Sequence, residues 1–180
     1  MTKLLLPVLA ALALLVGCTE TASQRMGPDG RPVPVVYRIT DRDVESIQVR
    51  MRDGINAIRE EQRLPPVELN AQLTSAAATH SRDMSVQRRP WHFGSDGSSP
   101  IDRVQRAGYS GQFLGELVSE TFETELETLT AWLGQRETRS VLMERRMREI
   151  GFAWHQDANG KLWWTLTTGT PQQMASMAGR

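Results

Sequence analysis

The sequence predicts an α+β fold, an α-β-α sandwich in which a small antiparallel sheet is flanked by helices. Three observations carry that expectation. Segments 43–63 and 70–87 repeat apolar side chains at steps of three and four, the period of a helix with one buried face. Segments 150–155 and 162–168 are apolar and aromatic-rich around Asp157, Ala158, Asn159 and Gly160, the pattern of a hairpin. Helices outnumber strands and the strands come late, so the sheet must be covered by helices.

Composition sets the bounds. The 180 residues carry 21 basic and 21 acidic side chains, so no overall field draws the chain to nucleic acid. With 39% apolar residues and zero net charge, a packed core is expected. One cysteine and three histidines exclude a disulfide scaffold and a multi-cysteine zinc site.

Taken in order, Lys3 precedes an apolar run over 4–16, shorter than the roughly 20 residues that cross a bilayer. A leader over 1–17 is expected. It ends in Leu15-Val16-Gly17-Cys18, which resembles the bacterial lipobox. Cys18 is then the lipidation site, carrying acyl chains of the palmitate type, and the membrane partner is reached through it. Thr19 follows; by resemblance to Gram-negative lipoproteins, the lack of Asp there favours the periplasmic face of the outer membrane over the inner membrane. Residues 18–42, rich in Pro, Gly, Ser and Thr, have the composition of a linker.

The domain is expected over 43–170. Val44, Ile47, Met51, Ile55 and Ile58 line the first helix, with Asp41 or Thr40 as its cap and Pro65-Pro66 as its stop. Asn70 caps the second, whose stripe is Leu73, Ala76, Ala77, His80 and Met84. Ser99-Pro100-Ile101-Asp102 starts a short helix that Gly108 stops. A strand follows over 112–118, then a helix marked by Phe122, Leu126, Leu129, Trp132 and Leu133, a charged helical segment over 138–146, the hairpin, and a tail over 171–180.

Three ordered stretches resemble the CAP superfamily (cysteine-rich secretory, antigen 5 and pathogenesis-related proteins), in its short bacterial form. The first is Leu69-Asn70, Ala77, His80-Ser81-Arg82-Asp83-Met84, His92 and Asp96-Gly97. The second is Pro100-x-Asp102-Arg103, Gly108-Tyr109 and Gly115-Glu116. The third is Trp132, Arg139, Met143, Ile150-Gly151-Phe152 and the Trp-rich last strand. The resemblance implies the CAP/SCP sandwich with a surface cleft, where fuller members place two histidines and two glutamates that hold a divalent metal. His92 and Glu116 match one histidine and one glutamate of that set. The other two positions fall at Gln135 and Thr138, and Leu117 replaces the Asn that usually follows the Gly-Glu pair.

The residues themselves leave alternatives open. Glu116, between Leu114 and Val118 in a strand, is expected to share their face and to be partly buried, and a buried carboxylate needs a partner. His92 is its partner by family geometry, as a salt bridge or as the remains of a ligand site. His80 belongs to its helix's apolar stripe and reads as a core residue beside Asp83, and His155 as an exposed turn residue. Trp91, Trp132, Trp154, Trp163 and Trp164 suit core packing or a cleft wall, with Trp163 and Trp164 on opposite sides of the sheet. The alternating charges of 136–148 read as a solvated helical face, which the acidic run 116–127 roughly balances, and Gln87-Arg88-Arg89 suits anionic cell-wall or lipopolysaccharide groups.

No cofactor is expected. A catalytic zinc takes three protein ligands, whereas His92 and Glu116 supply two, with Glu120 or Glu123 as distant thirds; weak Zn or Mg binding at His92 and Glu116 is the alternative. No serine sits in a recognised nucleophile motif. The expected function is a cell-envelope lipoprotein whose cleft, lined by His92, Glu116, Gln135 and Thr138, holds a small or lipid-like molecule, an envelope protein or a cell-wall component. The alternatives are an envelope hydrolase with His92 as general base beside Glu116, and a structural protein with a vestigial cleft.

Overall fold

The structure is a computed structural model that describes residues 37–172. The leader, Cys18 and most of the linker, and residues 173–180 of the tail, lie outside the described residues. Five helices and four strands follow in order: α1 (Val44–Glu61), β1 (Glu68–Leu69), α2 (Ala71–Gln87), α3 (Pro100–Arg106), β2 (Gln112–Glu120), α4 (Glu125–Gly134), α5 (Arg136–Leu142), β3 (Glu149–Gln156) and β4 (Leu162–Thr170).

The sheet runs β1-β3-β4-β2. The hairpin β3–β4 and the pair β2–β4 are antiparallel, but Glu68 and Leu69 pair with Glu149 and Ile150 in parallel, so the sheet is mixed and not purely antiparallel. A two-residue strand has no periodicity to read, which is why the sequence gives no sign of β1. One face of the sheet carries α2 and α3; the other carries the main core, where Ile47, Met51 and Ile55 of α1 meet Leu129, Trp132 and Leu142 of α4 and α5. Phe152 and Trp164 stack within that core, 5.5 Å apart and 6° from parallel. Trp163 and Trp164 are both buried, each on its own side of the sheet.

The caps follow sequence logic at two helices. Asn70 accepts from the Gln72 and Leu73 amides, and Ser99 and Asp102 form a reciprocal capping box behind Pro100. Gly108 sits at φ +80° where α3 ends. Helix α1 differs: its N-cap is Asp43, whose carboxylate turns back to accept from Thr40 N and Oγ1 instead of capping the helix. Helix α4 starts only at Glu125, behind a Thr124–Glu127 capping box, which leaves Phe122 outside the helix and exposed; Leu126, inside it, is exposed as well. The charged helical segment is shorter and earlier than expected, ending at Leu142. Glu125, in the acidic run, is buried against Arg50, whose Nε lies 2.5 Å from its Oε1.

Residues 37–40, assigned by composition to the linker, are fastened to the hairpin. Ile39 N donates to Gln156 Oε1 at 3.1 Å, Gln156 Nε2 donates to Tyr37 O at 2.7 Å, and Arg38 donates to the Asp157 and Ala158 carbonyls. The domain therefore begins before residue 43.

Arg59 is fully buried, and its guanidinium donates to the carbonyls of Pro65, Leu142, Glu144 and Met147, tying α1 to the chain on both sides of the core. Helix α2 lies unusually close to the sheet. A Cβ on Gly151 would stand 2.0 Å from the Leu73 carbonyl carbon and 2.2 Å from the Thr74 amide, so only glycine fits where α2 crosses β3. Small side chains keep the same approach: Ser81 Oγ donates to Thr165 Oγ1 at 2.9 Å, and Thr167 Oγ1 to Leu73 O at 2.9 Å. The clash at Gly151 is with backbone, so Gly151→Ala is expected to cost about 3 kcal/mol or more, read as a fall in the urea midpoint; an unchanged midpoint contradicts this packing.

Candidate functional site

Four segments converge on one carboxylate. Glu116, in the middle of β2, has a side chain 2% exposed. A shift in register between Phe113 and Gly115 breaks the strict alternation of β2. Leu114 and Leu117 both join the main core, while Glu116 points to the α2 and α3 side. Glu116 thus does not share a face with Leu114 as strict alternation predicts.

Arg103 supplies the missing countercharge. Its Nη2 lies 2.9 Å from Glu116 Oε1 and 2.8 Å from Oε2, and its own side chain is 4% exposed. The same guanidinium donates to Ser98 O and His92 O, both at 3.0 Å, so it also holds the loop before α3. Sequence reasoning noted Arg103 within a motif but gave it no role. The available signal was local: the capping box commits Asp102 to the helix start, which turns the next side chain toward the sheet, where Glu116 needed a cation.

His92 Nδ1 lies 3.0 Å from Glu116 Oε1. A carboxylate only accepts, so Nδ1 carries a proton, and in the neutral form of the ring the lone pair is then on Nε2. Its side chain is 50% exposed, so Glu116 sets the tautomer and the unbound nitrogen belongs to the half of the site that water reaches.

His80 completes the group. It is fully buried on α2, as its place in the apolar stripe implies, and its Nε2 donates to Trp91 O at 2.7 Å. Its Nε2 is also 3.7 Å from Glu116 Oε1, beyond hydrogen-bond reach. Burial is the main force lowering its pKa below the ordinary 6.5, against the pull of Glu116 and with a further push from Arg103. The ring is neutral, and the buried Nδ1 lone pair has no partner among the described residues.

The remaining expected residues are placed elsewhere. Gln135 is the N-cap of α5, and the Thr138 hydroxyl donates to the carbonyls of Trp132 and Gln135; among the described residues neither side chain hydrogen-bonds His92 or Glu116. Glu120 pairs with Lys161 and Glu123 is exposed on the loop before α4. His155 is not an exposed turn residue: it lies in β3, one-third exposed, with Nε2 3.6 Å from Asp157 Oδ1. Trp132 packs in the core, and Trp91 flanks His92 half-buried.

A divalent metal of the kind the family resemblance implies does not fit these residues. Both oxygens of Glu116 face the Arg103 guanidinium, Gln135 and Thr138 offer no anionic donor, and among the described residues no three His, Cys, Asp or Glu side chains are grouped to hold an ion.

Comparison with known proteins follows the same line. A sequence profile described as the Cysteine-rich secretory protein family (CAP) matches residues 52–167. The chain is 24% identical over 120 residues to the uncharacterized protein YkwD of Bacillus subtilis (strain 168), covering 67% of this chain and 46% of that protein. It therefore spans less than half the length of that relative. Among solved structures, an outer surface protein from Borrelia burgdorferi is similar with a TM-score of 0.64 and 16% identity, over 77% of this chain and 100% of that one. An extracellular protein containing an SCP domain from Bacillus anthracis str. Ames gives a TM-score of 0.65 and 21% identity, over 74% of this chain and 44% of that one. At such identities the two structures share the fold.

Two outcomes follow. Glu116→Leu alone strands a buried guanidinium and is expected to cost about 3–5 kcal/mol; Glu116→Leu with Arg103→Met should cost less than Glu116→Leu alone, and a larger loss in the double variant contradicts a charge-paired centre. For His80, the folded-state pKa is below the unfolded one, so the unfolded chain binds more protons and stability drops as pH falls below about 6.5. The slope is at most about 1.4 kcal/mol per pH unit. Urea midpoints from pH 7 to 5 should show this decline in the native protein and a flatter one in His80→Gln; parallel curves contradict it.

Proposed function

Because this chain belongs to the cysteine-rich secretory protein (CAP) family, we propose that its domain is a binding or interaction module of the bacterial cell envelope, lipid-anchored through Cys18, and not an enzyme. The observation that carries this is the double engagement of Glu116 by Arg103. A carboxylate held by a guanidinium at 2.8–2.9 Å on both oxygens is already occupied. It orients His92 and has no oxygen clear of the guanidinium with which to ligate an ion. What remains on offer is one half-exposed imidazole, flanked by Trp91 and Phe93, whose rings are 5.6 Å apart. An imidazole nitrogen beside an aromatic pair suits recognition of a small or lipid-like molecule that brings a polar group and an apolar body.

The envelope placement draws on the lipobox-like sequence ending at Cys18 and on two structural relatives, the outer surface protein of B. burgdorferi and the extracellular protein of B. anthracis. The periplasmic face of the outer membrane remains the favoured location. The hydrolase alternative uses the same 3.0 Å bond, with His92 Nε2 as base and Glu116 orienting the ring. Against it, no hydroxyl among the described residues donates to His92 Nε2, and the positions of Gln135 and Thr138 supply no second acid or base.

Thermal shifts across fatty acids, sterol analogues and muropeptide fragments test the binding reading. One class at about 100 times its dissociation constant should raise the melting temperature of the native protein by roughly 5–10 °C, and His92→Ala should lose most of that rise. A flat response to every class contradicts it, and hydrolysis of any of them that His92→Ala abolishes replaces it with the enzymatic reading. In parallel, Cys18→Ala should move the protein from the membrane to the soluble fraction; retention in the membrane contradicts the anchor.

A further inference from the structure

We propose that the C-terminal end of α2, the loop after it and the tip of the β3–β4 hairpin form a surface that rests on anionic phospholipid headgroups. This inference rests on the lipid-anchored reading above and adds an orientation to it.

The surface is apolar and basic at once. Val86 is 73% exposed and Phe93 49% exposed, the former the most exposed of the large apolar side chains described. Between them Arg88, Arg89 and Pro90 are exposed, and the Arg89 guanidinium carbon stands 4.1 Å above the Trp91 ring, which in turn meets Phe93. Arg82 is exposed one helical turn before Val86, on the same stripe of α2. Helix α2 ends with Arg88 in the left-handed region, which swings the chain out of the helix and lets Arg88 reach Asp157 Oδ2 at 3.2 Å.

The charge balance is positive. Arg88 is matched by Asp157, and Asp83 is occupied by Ser95 and Gln87. Arg38, Arg82 and Arg89 form no ion pair among the described residues. Exposed aromatic and aliphatic side chains interleaved with unpaired arginines match the headgroup zone, where aromatic rings settle and each basic group is attracted to anionic lipid.

The path of the chain selects the occupant. Arg38 donates to the Asp157 carbonyl at 3.1 Å, so the point where the described domain begins lies at the hairpin tip, beside Arg88. Residues 19–36 separate that point from Cys18, a span of at most roughly 60 Å even when fully extended. A domain leashed at this end presents this end to the bilayer that holds the leash. His92 lies in the same loop, so a lipid-like ligand would meet the candidate site from the membrane side.

The test uses the full chain purified from membranes and reconstituted in vesicles of phosphatidylcholine, with and without phosphatidylglycerol, read by amide hydrogen exchange. Exchange over 86–93 should slow only on the phosphatidylglycerol vesicles. Arg82→Gln with Arg89→Gln, both at exposed positions and outside the Glu116 cluster, should lower that protection roughly 25-fold at low salt, about fivefold for each arginine, with the melting temperature unchanged. Equal exchange on both vesicles overturns the proposal, as does protection that survives the double substitution. Protection by lipopolysaccharide or muropeptide fragments without phosphatidylglycerol overturns it in favour of a glycan partner. The mass of the N-terminal peptide separates the two readings. An acylated Cys18 with 86–93 unprotected leaves the anchor standing and removes the surface; an unmodified Cys18 with protection on phosphatidylglycerol removes the anchor and supports the surface.

Discussion

The site end of this molecule depends on one buried ion pair. Helix α3 is seven residues long and contributes little apolar surface, with Val104 as its fully packed side chain. What fixes it against the sheet is Arg103, which crosses to Glu116 and on the way takes the carbonyls of Ser98 and His92. Burying either charge alone is costly, and burying them together at 2.8 Å with further hydrogen bonds offsets most of that cost. The pair therefore joins β2, α3 and the loop between α2 and α3. His80 closes the fourth side as a neutral ring, because burial disfavours its charged form and Arg103 adds to that push.

Most of the architecture was legible because its signals are periodic or local. The stripes of α1 and α2, the caps at Asn70 and Ser99, the stop at Gly108 and the hairpin around Asn159 and Gly160 all depend on residues within a few positions of each other. What escaped depends on distant partners. β1 exists because Glu68 and Leu69 meet Glu149 and Ile150. The face of Glu116 changed because β2 slips register against β4. One miss is local: Phe122 falls outside α4 because the Thr124–Glu127 box starts that helix only at Glu125.

The site was legible in halves. His92 and Glu116 were named from the family pattern, and they meet at 3.0 Å. Arg103 went unassigned because a lone arginine in a charged helix gives no hint of burial until the carboxylate opposite it is placed. Gln135 and Thr138 were expected from the resemblance to line the cleft, yet their hydrogen bonds serve the start of α5. The chemistry left at this place is that of a positioned imidazole.

The central claim is that Glu116 is occupied by Arg103 and spends its remaining capacity on orienting His92. Nitrogen-15 spectra of the histidine side chains test it most directly, because they report which ring nitrogen carries the proton. The account predicts that neutral His92 is protonated at Nδ1 with a free Nε2, and that Glu116→Gln shifts it toward the mixture seen in free imidazole. A neutral His92 protonated at Nε2 in the native protein, or a tautomer unmoved by Glu116→Gln, contradicts it.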